Sequence, residues 1–424
     1  MKKLSLLFLA LIISQLAFSQ ATNDDCASAE TITVSTTEST VNFEMTEATI
    51  NNEVGCDGTT DDYADIWYDF TMPVNGNLFI GNTGSWNHFA LYDTCGGTQL
   101  QCGNREQTFT NLDAETNYKL RIFRSVSTAN NDDFTTFTIQ AFEEVANDDC
   151  DSSQNISVTT TELTTINFST GGATINNETG CDETTSNYAD VWFDFTMPVN
   201  GKLFINGTVT WNNLALYDSC NGTLIACESN ESTVSIPNLT AATNYKLRIF
   251  RNENHSSSES YAYFRIQAHE SVANDECASS ENISISTEDT TIVHGIKGAD
   301  VNNETGCDGT IDNYLDVWYD FDMPFDGNIH IQGYADYNYF ALYNACDGTL
   351  IQCESGNSLF TDLTAATNYK LRVFRLESDI NYSFTRFKIQ AMEPINNDDC
   401  SIAEDIAVTN TPTTVNFAIE GANI

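Results

Sequence analysis

Positive charge is scarce in this chain. Its 424 residues carry 17 Lys and Arg against 60 Asp and Glu, a formal net charge of −43. Phosphate backbones need a basic footprint, so nucleic acid is excluded as a partner. The acidity gives a self-repelling, soluble surface, or one that attracts cations. Histidine is sparse too: His88, His255, His269, His294 and His330 are the whole set. His269-Glu270 opens like a zinc-protease helix, but the position four after His269 is Ala273, so the second ligand is missing. No Gly-x-Ser-x-Gly elbow and no glycine-rich phosphate loop occurs. Without a nucleophile–base set, no enzyme activity is expected in these residues. Long apolar runs are absent after residue 19. Before it, Lys2 and Lys3 precede an apolar run over residues 4–18, with small Ala17 and Ser19 at its end. That run is short for a membrane span and reads as an export signal over residues 1–19, removed by the secretion machinery. No membrane span is expected in the mature chain.

What the chain does have is repetition. One stretch occurs three times, as Tyr63-Ala64-Asp65-Ile66-Trp67-Tyr68-Asp69-Phe70, again over 188–195, and again over 314–321. Ile66, Tyr68 and Phe70 share one face and Asp65, Trp67 and Asp69 the other, the period of a strand with one buried side. Met-Pro follows each copy, and then Gly76, Gly201 or Gly327, which ends the strand because neither Pro nor Gly suits its interior. An Asn-Asp-Asp/Glu-Cys opening recurs at Cys26, Cys150, Cys277 and Cys400, spaced by 124, 127 and 123 residues. That period suits a domain rather than a solenoid unit. The expected organisation is repeat 1 over 20–145, repeat 2 over 146–272, repeat 3 over 273–395, and the start of a fourth over 396–424. About 30 residues cannot bury a core, so the fourth copy reads as cut short.

Repeat 1 reads as short strands throughout: 30–34, 41–45, 64–71, 78–81, 88–92, 107–111, 118–123 and 134–141. Residues 51–62 read as a polar loop and 95–102 as a short cysteine loop. Eight or nine strands in about 120 residues predict an all-β, two-sheet antiparallel sandwich, jelly-roll-like, because stacking sheets is how such a chain covers its apolar faces.

Thirteen cysteines fall as Cys26, Cys56, Cys95, Cys102; Cys150, Cys181, Cys220, Cys227; Cys277, Cys307, Cys346, Cys353; and Cys400. Four per repeat in an exported chain predict two disulfides per domain. Pairing first with second and third with fourth closes local loops, worth about 3.7 and about 2.5 kcal/mol in the chain-entropy model. The glycine dipeptides in the third-to-fourth loop suggest a tight two-residue hairpin, which conflicts with that pairing. Zinc is disfavoured, since the six-residue gap exceeds the usual spacing and no His recurs beside it.

Asp65 to Phe70, Pro73 to Gly76, Ala90 to Asp93 and Asn117 to Ile122, with their counterparts, resemble the bacterial pre-peptidase C-terminal (PPC) domain. The cysteines and the Asn-Asp-Asp-Cys opening resemble the tandem variants in proteins exported by type IX secretion. The resemblance spans nearly the whole mature chain and implies a jelly-roll-like sandwich on secreted or surface proteins. Some such domains bind collagen or polysaccharide and hold Ca²⁺. Carried over by position, the implied calcium ligands are Glu143, Asn147, Asp148, Asp182 and Asp190 in repeat 2, and Glu270, Asn274, Asp275, Asp308 and Asp316 in repeat 3. These are oxygen donors of the kind Ca²⁺ takes.

Two other patterns bear on binding. Lys119, Arg121 and Arg124, with Lys246, Arg248, Arg251, Lys370, Arg372 and Arg375, are nine of fifteen mature basic residues. Lys119 and Arg121, like Lys246 and Arg248 or Lys370 and Arg372, share a strand face: either cross-strand partners for acids or a docking strip for an acidic glycan or a partner carboxylate. Trp86, Trp211 and Tyr337 hold one equivalent position, and Trp67, Trp192 and Trp318 another. Such rings can stack on sugar or peptide or pack beneath a loop. The expected function is a secreted or cell-surface, non-catalytic binding and adhesion array recognising extracellular polysaccharide or matrix protein, since repetition multiplies weak binding. Accessory domains of a larger secreted hydrolase, or a plain stalk, are the alternatives.

Overall fold

The structure, a computed structural model, describes residues 21–45, 48–81, 87–125, 135–207, 213–229, 233–252, 261–333, 338–377, 385–394 and 400–417. Residues 1–19, Trp86, Trp211, Tyr337 and His255 lie outside the described residues.

Repeat 1 forms ten strands: β1 (Glu30–Thr31), β2 (Ser39–Phe43), β3 (Ile50–Val54), β4 (Thr60–Thr71), β5 (Gly76–Gly81), β6 (His88–Tyr92), β7 (Gln99–Asn104), β8 (Gln107–Leu112), β9 (Asn117–Ser125) and β10 (Thr135–Glu143). They make two stacked sheets. One runs β1-β4-β9-β6-β7 with β3 also on β4; the other runs β2-β10-β5-β8. Repeats 2 and 3 have the same two sheets. The fold is thus all-β, in tandem two-sheet sandwiches, as the alternation predicts. Only the short β1 runs parallel to its neighbour.

The recurrent stretch is the centre of the larger sheet. β4 pairs with β9 over nine positions, with Ile66 opposite Ile122 and Trp67 opposite Arg121. Ile66, Tyr68 and Phe70 face inward and meet Leu78, Ile80, Phe137 and Ile139 from the other sheet. Each such side chain, buried, contributes about 1.5–3 kcal/mol. Every repeat has its own core of this kind.

Two segments differ from expectation. The polar loop at 51–62 contains β3 and the start of β4, and the cysteine loop at 95–102 contains most of β7. Both are edge strands whose exposed side chains give no apolar period to read.

The disulfides also differ. The first cysteine pairs with the third and the second with the fourth: Cys26–Cys95, Cys56–Cys102, Cys150–Cys220, Cys181–Cys227, Cys277–Cys346 and Cys307–Cys353. Sequence proximity misleads here because the sheet brings distant segments together. Tyr92 pairs with Gln99, which leaves Cys95 in the connecting loop, and Cys102 lies opposite Ala90. The first bridge pins the opening turn Cys26–Ser28 to that loop, and the second ties the β3–β4 turn to β7. Cys400 is exposed and free. The described residues 400–417 form one turn, Cys400–Ile402, and no strand.

Consecutive repeats touch. Asn77, on the outer face of β5, donates to the backbone oxygens of Gly171 and Ala173 in repeat 2. Its counterpart Lys202 donates through Nζ to Ala299 O in repeat 3, and is 2% exposed. Phe204, two residues on, belongs to the core cluster of repeat 3. Burial pulls the Lys202 ammonium down to about 8, although Glu377, Asp300 and Asp275 hold it up. Between that value and the ordinary 10.5, the unfolded chain binds more protons than the folded one, so stability rises with pH over that window. We expect the junction between repeats 2 and 3 to gain up to about 3 kcal/mol from pH 7 to pH 10. Lys202→Asn, which copies repeat 1, should remove that slope. Calorimetry of both proteins at pH 7, 8.5 and 10 checks it, and parallel midpoints in the two proteins would refute it.

Candidate functional site

The outer face of the six-stranded sheet carries the chain's recurrent polar and aromatic side chains. On β4 these are Asp65, Trp67 and Asp69, and on β9 Lys119 and Arg121. Strand parity puts them opposite the core. Asp65 is 2% exposed, and its Oδ2 accepts from Arg121 Nε at 2.6 Å and from Trp67 Nε1 at 3.2 Å. The Arg121 guanidinium lies 4.4 Å from the Phe123 ring centroid. Trp67 packs at 5.2 Å, ring to ring, on Tyr92 of β6, and both rings are half-buried.

The same set recurs twice. Asp190 Oδ2 accepts from Arg248 Nε at 2.6 Å and from Trp192 Nε1 at 3.0 Å, and Trp192 sits 5.6 Å from Tyr217. Asp316 Oδ2 accepts from Arg372 Nε at 2.6 Å and from Trp318 Nε1 at 3.1 Å, and Trp318 sits 5.5 Å from Tyr343. Burial pushes the Asp190 carboxyl up to about 6, against the pull of Arg248. Arg248 also pairs with Glu178, and Arg372 with Glu304 at 2.5 Å. An ion pair thus fixes the indole N–H and with it the ring plane. Each repeat offers a half-exposed Trp–Tyr pair whose indole N–H donates to a buried carboxylate.

Several expected site residues do other work. Arg121, Arg248 and Arg372 are at most 3% exposed, so they are not part of an exposed docking strip. Arg121 lies against Trp67 and Phe123, Arg248 against Trp192 and Phe250, and Arg372 against Tyr314 and Phe374. Arg124 and Arg375 are buried as well, bonded to the side chains of Asn87 and Asn338. Lys119, Lys246 and Lys370 remain half-exposed, and lie across from Asp69, Asp194 and Asp320. Lys246–Asp194 at 4.0 Å and Lys370–Asp320 at 3.7 Å are pairs of the cross-strand kind worth under about 1 kcal/mol.

Apart from Glu143 and Glu270, the implied calcium ligands have other partners, although Asp190 feels the charge of Asp148 and Asp275 that of Asp316. Asn147 and Asn274 donate their amides to the backbone oxygens of Trp192 and Trp318. Asp148 accepts from Thr174, and Asp275 from the Asp300 backbone. Asp190 and Asp316 belong to the arginine pairs. Asp182 and Asp308 cap exposed turns, where the Thr184 and Thr310 side chains hold their carboxyls below the usual range. Glu143 does share an open groove of ≈ 630 Å³ with Glu144, Asp148 and Asp149, between repeats 1 and 2. Glu270 lines a second groove with His269 and Lys297. Among the described residues no three His, Cys, Asp or Glu converge as metal ligands.

Sequence reading offered the arginines acidic partners across the strands, but did not name Asp65, Asp190 and Asp316 or the tyrosines beside the tryptophans. The signal was present: Asp65, Tyr92 and Arg121 recur in all three copies, the Tyr 27 residues after the Asp each time and the Arg 56, 58 and 56 after it, and two-residue parity puts Asp and Arg on one face.

A family model described as galactose-binding domain-like, and associated with the type IX secretion system, matches residues 22–139, 146–266 and 273–389. None of the curated proteins matches the chain. Among solved structures, the tandem CBM51 modules of a family 98 glycoside hydrolase from Streptococcus pneumoniae SP3-BS71 align at 8% identity, over 54% of this chain and 100% of that one, with a TM-score of 0.15. A β-glucuronidase from Bacteroides uniformis aligns at 13% identity over 44% of this chain and 21% of that one, with a TM-score of 0.16. A putative secreted protein from Eubacterium rectale aligns at 8% identity over 60% of this chain and 85% of that one, with a TM-score of 0.19.

Proposed function

The chain belongs to the galactose-binding-domain-like family associated with type IX secretion, and from that premise we propose that it is an exported, non-catalytic array that binds extracellular glycan. The observation that carries this is the half-exposed Trp–Tyr pair on the outer sheet face, present in all three repeats and held by a buried Asp–Arg pair. An aromatic face held in place suits the apolar face of a sugar ring, and the polar residues around it suit its hydroxyls. Lys119, Asp69 and their counterparts supply those hydroxyl partners at the rim. Three such faces on one chain turn weak sites into useful retention by effective concentration. Six disulfides suit the oxidising space outside the cell. The PPC-type sandwich is the narrower kinship that the core motifs favour, and display at the cell surface is the location that fits adhesion.

The test is affinity electrophoresis of the mature chain through gels holding a soluble galactan or one of a panel of other neutral polysaccharides. One ring is worth about 1 kcal/mol, so Trp67→Ala should weaken retardation roughly fivefold. The triple variant Trp67→Ala/Trp192→Ala/Trp318→Ala should weaken it about 100-fold by compounding. Unchanged mobility shifts for the folded triple variant on every retarding polysaccharide would overturn the assignment.

A further inference from the structure

The contacts between repeats have a direction built into one turn. It joins the second and third strands of each repeat. In repeat 2 it is Thr170-Gly171-Gly172-Ala173, in repeat 3 Ile296-Lys297-Gly298-Ala299, and in repeat 1 Met45-Thr46-Glu47-Ala48. The turn has the same hydrogen bonds in all three. Ala48 N donates to Met45 O, Ala173 N to Thr170 O and Ala299 N to Ile296 O, at 3.0–3.2 Å. The next amide donates to the opening Asp in each: Thr49 to Asp24, Thr174 to Asp148 and Asp300 to Asp275. Residues 46 and 47 lie outside the described residues; in sequence Glu47 holds the position of Gly172 and Gly298.

The glycines stand where the preceding repeat arrives. A Cβ built on Gly172 would overlap the backbone oxygen of Glu143, and one on Gly298 would overlap that of Glu270. A carbonyl at a strand end cannot swing aside as a side-chain tip does. The neighbouring Gly171 faces the Phe142 ring in the same way. Neither Gly172 nor Gly298 has a positive φ, so their own backbone would accept any L-residue. They are glycine because of the neighbour, not because of the turn. Around each lies the rest of the docked surface: Asn77 on the oxygens of Gly171 and Ala173, Lys202 on that of Ala299, and Phe204 in the repeat 3 core.

We infer that this turn is a directional docking socket: glycine at its third position in repeats 2 and 3 admits the outer sheet face of the preceding repeat, whereas the counterpart by sequence in repeat 1 is Glu47, which lacks the glycine this docking needs. The partner is another repeat of this chain, entering by its β5 and β10 face. The array therefore has an encoded first member. Heterologous contacts that do not close propagate as filaments, and a first repeat without that glycine stops one array from continuing onto another. It also holds the repeats at fixed angles, where tethered domains by default move independently.

Gly172→Glu in the mature chain puts the repeat 1 residue into the repeat 2 socket. Small-angle X-ray scattering should show a larger radius of gyration and the loss of a single rigid profile, while disulfides and circular dichroism stay those of the wild type. Should that protein precipitate, Gly172→Ala adds the Cβ alone and reads the same socket. Gly295→Glu is the control, since a Cβ there meets nothing within 4 Å and its φ is ordinary. Scattering from Gly172→Glu, or from Gly172→Ala in its place, that superimposes on wild type would overturn the inference, and so would an equal change with Gly295→Glu.

Discussion

Cys307→Ala/Cys353→Ala should lower the stability of repeat 3 by about 4 kcal/mol, and leave repeats 1 and 2 where they are. The bridge spans 46 residues, and a loop of about that length removes close to 4 kcal/mol of denatured-state entropy in the chain-entropy model. The other bridge of the repeat, Cys277–Cys346, spans 69 residues and overlaps it. The two loops share residues 307–346, so each bridge is worth less while the other is intact, and removing both should cost more than the sum of the two single losses. Packing adds to the entropy term. Cys307 and Cys353 lie against Tyr314, Ala341 and Phe374, a small cluster on the outer face of the sheet and apart from the main core. Losing the bridge loosens that cluster and the β3–β4 turn counterpart it fastens. A urea titration followed peptide by peptide with hydrogen exchange resolves the repeats. The midpoint of repeat 3 should fall by roughly 2 M, given a slope of about 2 kcal/mol/M for a domain of this size. A shift below about 0.3 M would mean that the denatured repeat is constrained some other way. Non-reduced peptide maps supply the pairing directly: fragments holding Cys307 and Cys353 should run as one.

The contrast with the pairing expected from sequence shows what a linear reading reaches. Alternation in Asp65 to Phe70 gave the core strand, its inward residues and its neighbours, because burial on one face writes a period of two into the chain. β3 and β7 leave no such trace. Ile50-Asn51-Asn52-Glu53-Val54 and Gln99-Leu100-Gln101-Cys102-Gly103-Asn104 pair along an edge and bury little, so their backbones are ordered without a pattern in their side chains. Parity put Arg121 and Trp67 on the outer face, which is right, but parity says nothing about what covers a face. Arg121 is buried there because Trp67, Phe123 and the carboxylate of Asp65 close over it. The same limit applies to Asp148 and Asp275. The resemblance implied them as calcium ligands, and the sheet also sets them against the backbone amides of the docking turn. Bonds between distant segments, whether disulfide or ionic, depend on the register of the sheet, and a single sequence specifies that register only through its repeats.

Asp190→Ala should cost repeat 2 about 3–5 kcal/mol, because it leaves the Arg248 guanidinium in a water-poor site with its closest partner gone. Arg248 keeps Glu178, whose side chain is 39% exposed, so the loss should sit toward the lower end of that range. Replacing both members, as in Asp190→Leu/Arg248→Met, removes the charge instead of stranding it and should recover most of the stability, as buried pairs exchanged for apolar side chains generally do. The two variants part company at the binding face. In both, the Trp192 N–H loses its acceptor, and the ring is free to turn away from Tyr217. If the pair serves only to hold the sheet together, the double variant should bind polysaccharide like wild type. If it serves to hold the indole, the double variant should be stable and yet lose the repeat 2 share of retardation, as Trp192→Ala does. Urea midpoints and affinity electrophoresis on the same four proteins separate these outcomes. The second is expected, since the Asp oxygen that accepts from the arginine is the same atom that accepts from the tryptophan in every repeat.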